Sequence, residues 1–82
     1  MGIKMETDEV KKLLLAQFSD CNVQVEGGGS SFQIVIVGAL FDGLNAVKRQ
    51  QSVYAVLNDK ITDGTIHAVT IKTFTPTEWA AR

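Results

Sequence analysis

Hydrophobic positions recur along this chain in two periods, and the places where one gives way to the other mark its elements. Val10, Leu13, Leu14 and Phe18 are spaced as one face of a helix, and Thr7 followed by Asp8 and Glu9 reads as an N-cap with an acidic first turn. The spacing predicts an amphipathic helix over about residues 8–18. From Asn22 to Glu26 the period shortens to two, with Val23 and Val25 on one side and Asn22, Gln24 and Glu26 on the other, as in a half-buried strand. Gly27–Ser31 (GGGSS) reads as a flexible turn. Phe32–Val37 (FQIVIV) follows as a second strand, apolar on both faces and so expected to be central and at least partly covered on each side. These two strands form a hairpin.

Leu40–Gly43 (LFDG) breaks the strand pattern. Asn45 then caps a helix through Val47, Val53, Tyr54, Leu57 and Ile61, which Gly64 closes; its length allows two helices with a bend between Gln50 and Val56. Alternation returns at residues 66–73, with His67, Val69, Ile71 and Thr73 on one face and Ile66, Ala68, Thr70 and Lys72 on the other. Thr75-Pro76-Thr77-Glu78 has a capping hydroxyl, a proline at the first helical position and a glutamate at the third, the pattern of a capping box. Trp79 is expected to be largely buried and to pin this last helix to the body. The order predicts an α+β fold: a three-stranded mixed sheet with helices on one face, strands two and three being parallel through a right-handed helical crossover.

At 82 residues the chain makes one domain, 1–82, with residues 1–6 read as a flexible tail. A chain this short buries only about 60–65% of the surface its unfolded form exposes, so its core must be single. Net charge is −1, unevenly placed: residues 1–43 carry three lysines against six acids, whereas 44–82 carry five cations against Asp59, Asp63 and Glu78. A sequence pI near 5.7 offers no surplus of cations for many phosphate contacts, which counts against a nucleic-acid partner. Cys21 is the lone cysteine and cannot form an intramolecular disulfide, so a reducing cytoplasm is the expected setting. The run Phe32–Phe41 is about half the length a membrane helix needs, and MGIKMETDEV does not read as a secretory signal.

The chemistry on offer is thin. With one histidine, no Cys-x-x-Cys, no His-x-x-x-His and no Gly-x-Ser-x-Gly, the parts of metal-dependent hydrolysis and acyl transfer are missing, and no enzyme is expected. The glycine run could cradle a phosphate, but no Lys-Ser or Lys-Thr helix follows it, and a hairpin turn accounts for it. Cys21 reads as a small buried hydrophobe against the alternative of a thiolate ligand. His67 is either a structural residue at a strand start or a ligand at its rim; as a ligand it would be one imidazole, with most of the coordination supplied by another molecule.

The stretches FQIVIVGALFDGLNAVKRQQSVYAVL and IHAVTIKTFTPTEWAAR resemble the BolA family, most of all its short bacterial branch of IbaG type. The specific parts are Val37–Gly43, Val47–Gln51, Ile66-His67-Ala68 and the ending Thr75-Pro76-x-Glu78-Trp79, and the likeness extends from about Val10 onward. The resemblance implies a fold similar to type II KH domains, helix-strand-strand-helix-helix-strand with the capped helix after it. It also implies a monothiol glutaredoxin as partner, with a two-iron, two-sulfur cluster shared between a glutaredoxin cysteine, a glutathione thiol and the histidine matching His67, and no cofactor when the chain is alone. The setting so implied is cluster trafficking, or iron sensing in a stress response. The family's further ligand, a histidine or cysteine in the hairpin loop, is replaced here by Ser31 or its neighbour Ser30, and a serine hydroxyl is a poor donor to iron. The second ligand is thus left open.

Residues 40–57 also resemble a helix-turn-helix, which implies the alternative of a transcriptional regulator contacting DNA phosphates through Lys48, Arg49 and Lys60. The Gly-x-x-Gly loop by which ordinary KH domains clamp a nucleic-acid backbone is missing. Alone, the chain is expected to be a monomer or a weak homodimer, with no membrane partner.

Overall fold

The computed structural model describes residues 6–28 and 31–82. Helix α1, Thr7–Gln17, has its cap one residue earlier than expected: Glu6 holds the extended capping position, and the Glu9 carboxylate accepts from the Glu6 N–H at 3.4 Å. Thr7 is therefore the first helical residue. Glu6 belongs to the helix start and not to a tail, while the rest of that expected tail, residues 1–5, lies outside the described residues.

Strands β1 (Asn22–Gly28) and β2 (Ser31–Val37) pair antiparallel, from Asn22 opposite Val37 to Gly28 opposite Ser31. The expected turn narrows accordingly, since Gly27, Gly28 and Ser31 belong to the ladder; Gly29 and Ser30 lie outside the described residues. Gly27 has φ 116°, where a side chain is strained, and a Cβ there would collide with the Ser31 carbonyl oxygen.

A single 3-10 turn, Ala39–Phe41, leads to helix α2, Ala46–Thr62. That turn stands where the resemblance places the first of two consecutive helices. No glycine or proline interrupts residues 46–62, and α2 runs unbroken through the bend allowed for at Gln50–Val56. The Asn45 side chain accepts from the Lys48 N–H at 2.9 Å, and Gly64, with φ 85°, turns the chain out of the helix. Strand β3, Ala68–Phe74, pairs parallel to β2 from Ser31 opposite Ala68 to Val37 opposite Phe74, giving the order β1-β2-β3. Helix α3, Pro76–Ala81, follows with its capping box formed as the sequence predicts.

The core lies on one face of this sheet. Phe32, Ile34 and Ile36 of β2 point into it, α1 adds Val10, Leu14 and Phe18, α2 adds Val53 and Leu57, and Phe41 is fully buried among them. Removing each of the larger aliphatic side chains from water stabilises the fold by about 1.5–3 kcal/mol. The other face carries Gln24, Glu26, Gln33, Thr70 and Lys72 in solvent, with Val35 half-buried. Strand two is thus central, fully covered on the core side and, at half-buried Val35 and buried Val37, partly covered on the other. Trp79 likewise departs from expectation: it is half-buried, set edge-on to Phe74 at 5.2 Å between ring centroids, with the Arg82 guanidinium 3.5 Å over its ring.

The start of β3 departs most usefully. Ile66 is buried and His67 exposed, the reverse of the alternation expected from residue 66. The regular pleat begins only at Ala68. Before it the chain is still leaving α2, with the Ile66 N–H bonded to the Lys60 carbonyl at 3.1 Å.

Candidate functional site

His67 owes its position to the turn that precedes it. The Asp63 N–H bonds the Asp59 carbonyl at 3.0 Å, Gly64 reverses the chain, and the Thr65 N–H donates to Asp63 Oδ1 at 2.8 Å. The hydrogen bonds from Thr65, helped by Lys60, hold the Asp63 carboxyl below the usual carboxylate range. Asp-Gly-Thr is a pattern in which an aspartate oxygen binds the backbone two residues on, so this fixture was open to sequence reasoning, which passed it over. Ile66 then anchors the link in the core, and Ala68 enters the ladder opposite Ser31. His67 is held between two fixed points, and its side chain projects outward.

None of the side-chain hydrogen bonds among the described residues involves the imidazole. A methyl group on Gly64 would stand 3.9 Å from Nε2, so the ring lies against a bare Cα. Because β2 and β3 are parallel, both begin at this end of the sheet; Ser31 lies beside the start of β3, and Gly28 lies beyond it across β2. An open concavity of about 470 Å³ adjoins them, lined by Glu26, Gly27, Gly28, Ser31, Gln33 and Thr70. The fold therefore brings His67 and exposed Ser31 to one edge; the neighbouring Ser30 lies outside the described residues.

Cys21 is elsewhere. It precedes β1, whose first residue pairs with the last of β2, so the length of a seven-residue strand, about 20 Å, separates it from the His67 end. Its side chain is buried against Gly38, where any Cβ would run into the sulfur, and burial, aided by Asp20, pushes the thiol pKa up. A protonated, enclosed thiol at the far end of the sheet is a packing residue.

The three candidate cations do not form one patch. Arg49 is engaged: Nη1 and Nη2 bind Glu78 Oε1 and Oε2 at 2.7 and 3.2 Å, and Nε donates to the Leu44 carbonyl at 2.9 Å. Glu78 also closes the α3 cap, so one carboxylate ties α2 to α3 across 29 residues, a pairing that no local spacing announces. Lys48 is exposed in the first turn of α2. Lys60 lies about 18 Å further along the helix, beside Lys12, Leu13, Asp63 and Thr65 around a depression of about 490 Å³. Residues 40–57 contain one 3-10 turn and most of α2, not two helices of comparable length. Among the described residues no three of His, Cys, Asp and Glu converge as a metal site, and no helix is long and apolar enough to cross a membrane.

Residues 9–78 match the family model of BolA-like protein. The acid stress protein IbaG of Escherichia coli K12 is 50% identical over 76 residues, which span 93% of this chain and 90% of that protein. The chain belongs to the BolA-like family. Another relative, from Haemophilus influenzae, is described as a DNA-binding transcriptional regulator BolA; it is 41% identical over 56 residues, 68% of this chain and 53% of that one. In three dimensions the chain is similar to a BolA homologue of Coxiella burnetii, with a TM-score of 0.79 at 31% identity over 93% of this chain and 97% of that one. The BolA-like fold accounts for the order of elements derived above, including the parallel pairing that delivers His67 and the hairpin to a common edge.

Proposed function

We propose that this BolA-like chain is a cytoplasmic adaptor, without a catalytic step of its own, that docks on a monothiol glutaredoxin and supplies His67 to a two-iron, two-sulfur cluster shared with the glutaredoxin cysteine and glutathione. The observation that carries the reading is the state of the one histidine: exposed, clear of side-chain hydrogen bonds among the described residues, and braced between buried Ile66 and the β3 ladder. Imidazole nitrogen is an apt donor to iron. One such donor holds nothing alone, so the remaining ligands come from the partner, and Ser31, whose hydroxyl is a weak donor, stays outside the ligand set. The bound cluster would be cargo passed to a client or a signal of iron supply. The description of the Escherichia coli relative as an acid stress protein supports a stress-response setting.

The test is reconstitution of the cluster on a mixture of this chain and a monothiol glutaredoxin, followed by absorption and circular dichroism spectra. His67→Ala is expected to change the visible dichroism and shorten the lifetime of the cluster. Spectra and lifetimes indistinguishable from wild type would remove His67 from the ligand role.

The second reading, DNA binding, is favoured by the description of the Haemophilus influenzae relative. In this chain it would rest on Lys48 and Lys60, because Arg49 is committed to Glu78. Duplex binding across a salt series decides it: a steep slope reduced by Lys48→Ala supports DNA contacts, and a negligible, flat response removes them.

A further inference from the structure

The chain holds two Asp-Gly steps, Asp42-Gly43 and Asp63-Gly64, and the fold treats them differently. In such a step the glycine nitrogen has no neighbouring Cβ to shield it, and it attacks the aspartate carboxyl wherever the peptide plane between the two residues is free to turn about ψ. At Asp63-Gly64 that freedom is missing. The Asp63 N–H bonds the Asp59 carbonyl at 3.0 Å, the Gly64 N–H bonds the Ile61 carbonyl at 3.2 Å, and Asp63 Oδ1 accepts from the Thr65 N–H at 2.8 Å. Turning the plane breaks the second of these bonds, and moving the carboxyl breaks the third.

Asp42-Gly43 sits instead at the centre of a tight turn between the 3-10 turn and α2. Asp42 has φ −63° and ψ 132°, Gly43 has φ 81°, and the Leu44 N–H closes onto the Phe41 carbonyl at 3.1 Å, the geometry of a type II turn. The Gly43 N–H, the Asp42 carbonyl and the Asp42 carboxylate take part in no hydrogen bond among the described residues. Both residues are exposed, and a methyl group on Gly43 would meet nothing within 4 Å. The central plane therefore turns without losing a bond, while Phe41 and Leu44 stay where they are.

We propose that Asp42-Gly43 is a site of spontaneous isoaspartate formation, and that the chain so modified is a substrate for a carboxyl methyltransferase that recognises isoaspartate. The Gly43 nitrogen bonds to Cγ of the protonated Asp42 carboxyl, the Cγ–OH bond breaks, and the hydroxyl leaves as water with the proton from the Gly43 N–H, closing a succinimide. Water then adds to either imide carbonyl. Cleavage of the new N–Cγ bond restores Asp42, whereas cleavage of the original peptide bond leaves Cγ in the main chain and frees the α-carboxylate. No oxidant or reductant takes part. The methyltransferase moves a methyl group from a sulfonium donor to that α-carboxylate, and loss of methanol from the ester re-forms the succinimide. The iso-linkage adds one methylene to the main chain between Phe41, which is fully buried, and Leu44, whose carbonyl accepts from Arg49 Nε at 2.9 Å. It therefore loosens the joint between the core and the start of α2.

Warm incubation of the folded full chain in ¹⁸O-water at mildly acidic pH, followed by proteolysis and mass spectrometry, tests this. Each passage through the succinimide leaves a solvent oxygen in the aspartate whichever product forms, and electron-transfer fragmentation separates the iso-linkage from the normal one. In the folded chain, label and isoaspartate are expected to accumulate at Asp42 at least about tenfold faster than at Asp63, and in chain unfolded by urea the two rates are expected to agree within about twofold. Asp42→Glu, which would have to close a larger and slower-forming ring, is expected to abolish the reaction at this step with an unchanged far-ultraviolet dichroism spectrum. Equal rates at the two steps in the folded chain, a faster Asp63, or label at Asp42 only after unfolding would each overturn the proposal. The aged wild-type chain is expected to take a labelled methyl group from an isoaspartate methyltransferase, and Asp42→Glu aged alongside it is not. An isoaspartyl chain that accepts no methyl group contradicts the substrate assignment.

Discussion

The two ends of β3 are built to opposite rules. At its C-terminal end Thr75 and Glu78 cap each other reciprocally at 2.9 and 3.1 Å, Arg49 grips both oxygens of Glu78, and the Trp79 N–H bonds the Thr75 carbonyl at 2.9 Å. Thr75, Glu78 and Arg49 there each have a mate, being bonded to one another or to backbone. At the N-terminal end the Asp63–Thr65 turn fixes the backbone, and the one titratable ring beyond it is left with none among the described residues. Satisfied polar groups hold an element in place, whereas an unsatisfied exposed donor atom on a braced backbone is available to something outside the chain. The contrast separates the end that stabilises the fold from the end proposed to meet a partner.

Substitutions at the two ends should therefore differ in what they damage. The largest stability loss is expected for Ile66→Ala, which empties a buried site beside His67 and should cost about 2–5 kcal/mol in chemical denaturation. It would also loosen the seat of His67, breaking the contrast from beneath. Thr75→Ala at the capped end should cost about 0.5–2 kcal/mol while leaving cluster assembly with a glutaredoxin intact. Glu78→Gln should lower the thermal midpoint less than Ile66→Ala does, and its signature lies in pH. Arg49 first, and the Thr75 N–H after it, hold the Glu78 carboxyl below its ordinary value. A lowered folded value gives stability that is complete above the ordinary glutamate value and is lost as pH falls through the lowered one. Midpoints measured down that acid range should fall less steeply in Glu78→Gln than in wild type, with a residual slope from Asp63, which Thr65 also holds down. The smallest stability change belongs to His67→Ala, within about 0.5 kcal/mol of wild type, because an exposed side chain without hydrogen bonds leaves little behind. That near-neutral effect, paired with loss of cluster chemistry, would sharpen the contrast most.

Local chemistry made the frame readable. Val10, Leu14 and Phe18 at helical spacing, the alternation of Val23 and Val25, and the Thr75-Pro76-x-Glu78 signature all formed where the residues indicated. What stayed hidden depends on contacts distant in sequence or on the exact end of an element. Nothing in Glu6-Thr7-Asp8-Glu9 distinguishes a threonine cap from a glutamate cap until the Glu9 side chain is seen to reach back. The alternation drawn through Ile66 and His67 failed because the Gly64 turn, and not the pleat, orients both, and this put the histidine on the wrong face. Two lines of the DNA reading weakened for the same reason: the partner of Arg49 is 29 residues away, and the expected first helix is one 3-10 turn. Cys21 was legible as a packing residue, while its distance from His67 required the hairpin register.

Since His67 is the only histidine of the chain, growth on ¹⁵N-histidine labels a single imidazole without further engineering. Pulsed electron paramagnetic resonance on the reduced cluster, assembled from labelled chain and unlabelled glutaredoxin, then reports on that ring alone. A ¹⁵N hyperfine coupling of the size that direct ligation produces is expected, and it disappears with His67→Ala. A cluster that assembles on the complex and shows no such coupling would contradict the claim that His67 binds its iron.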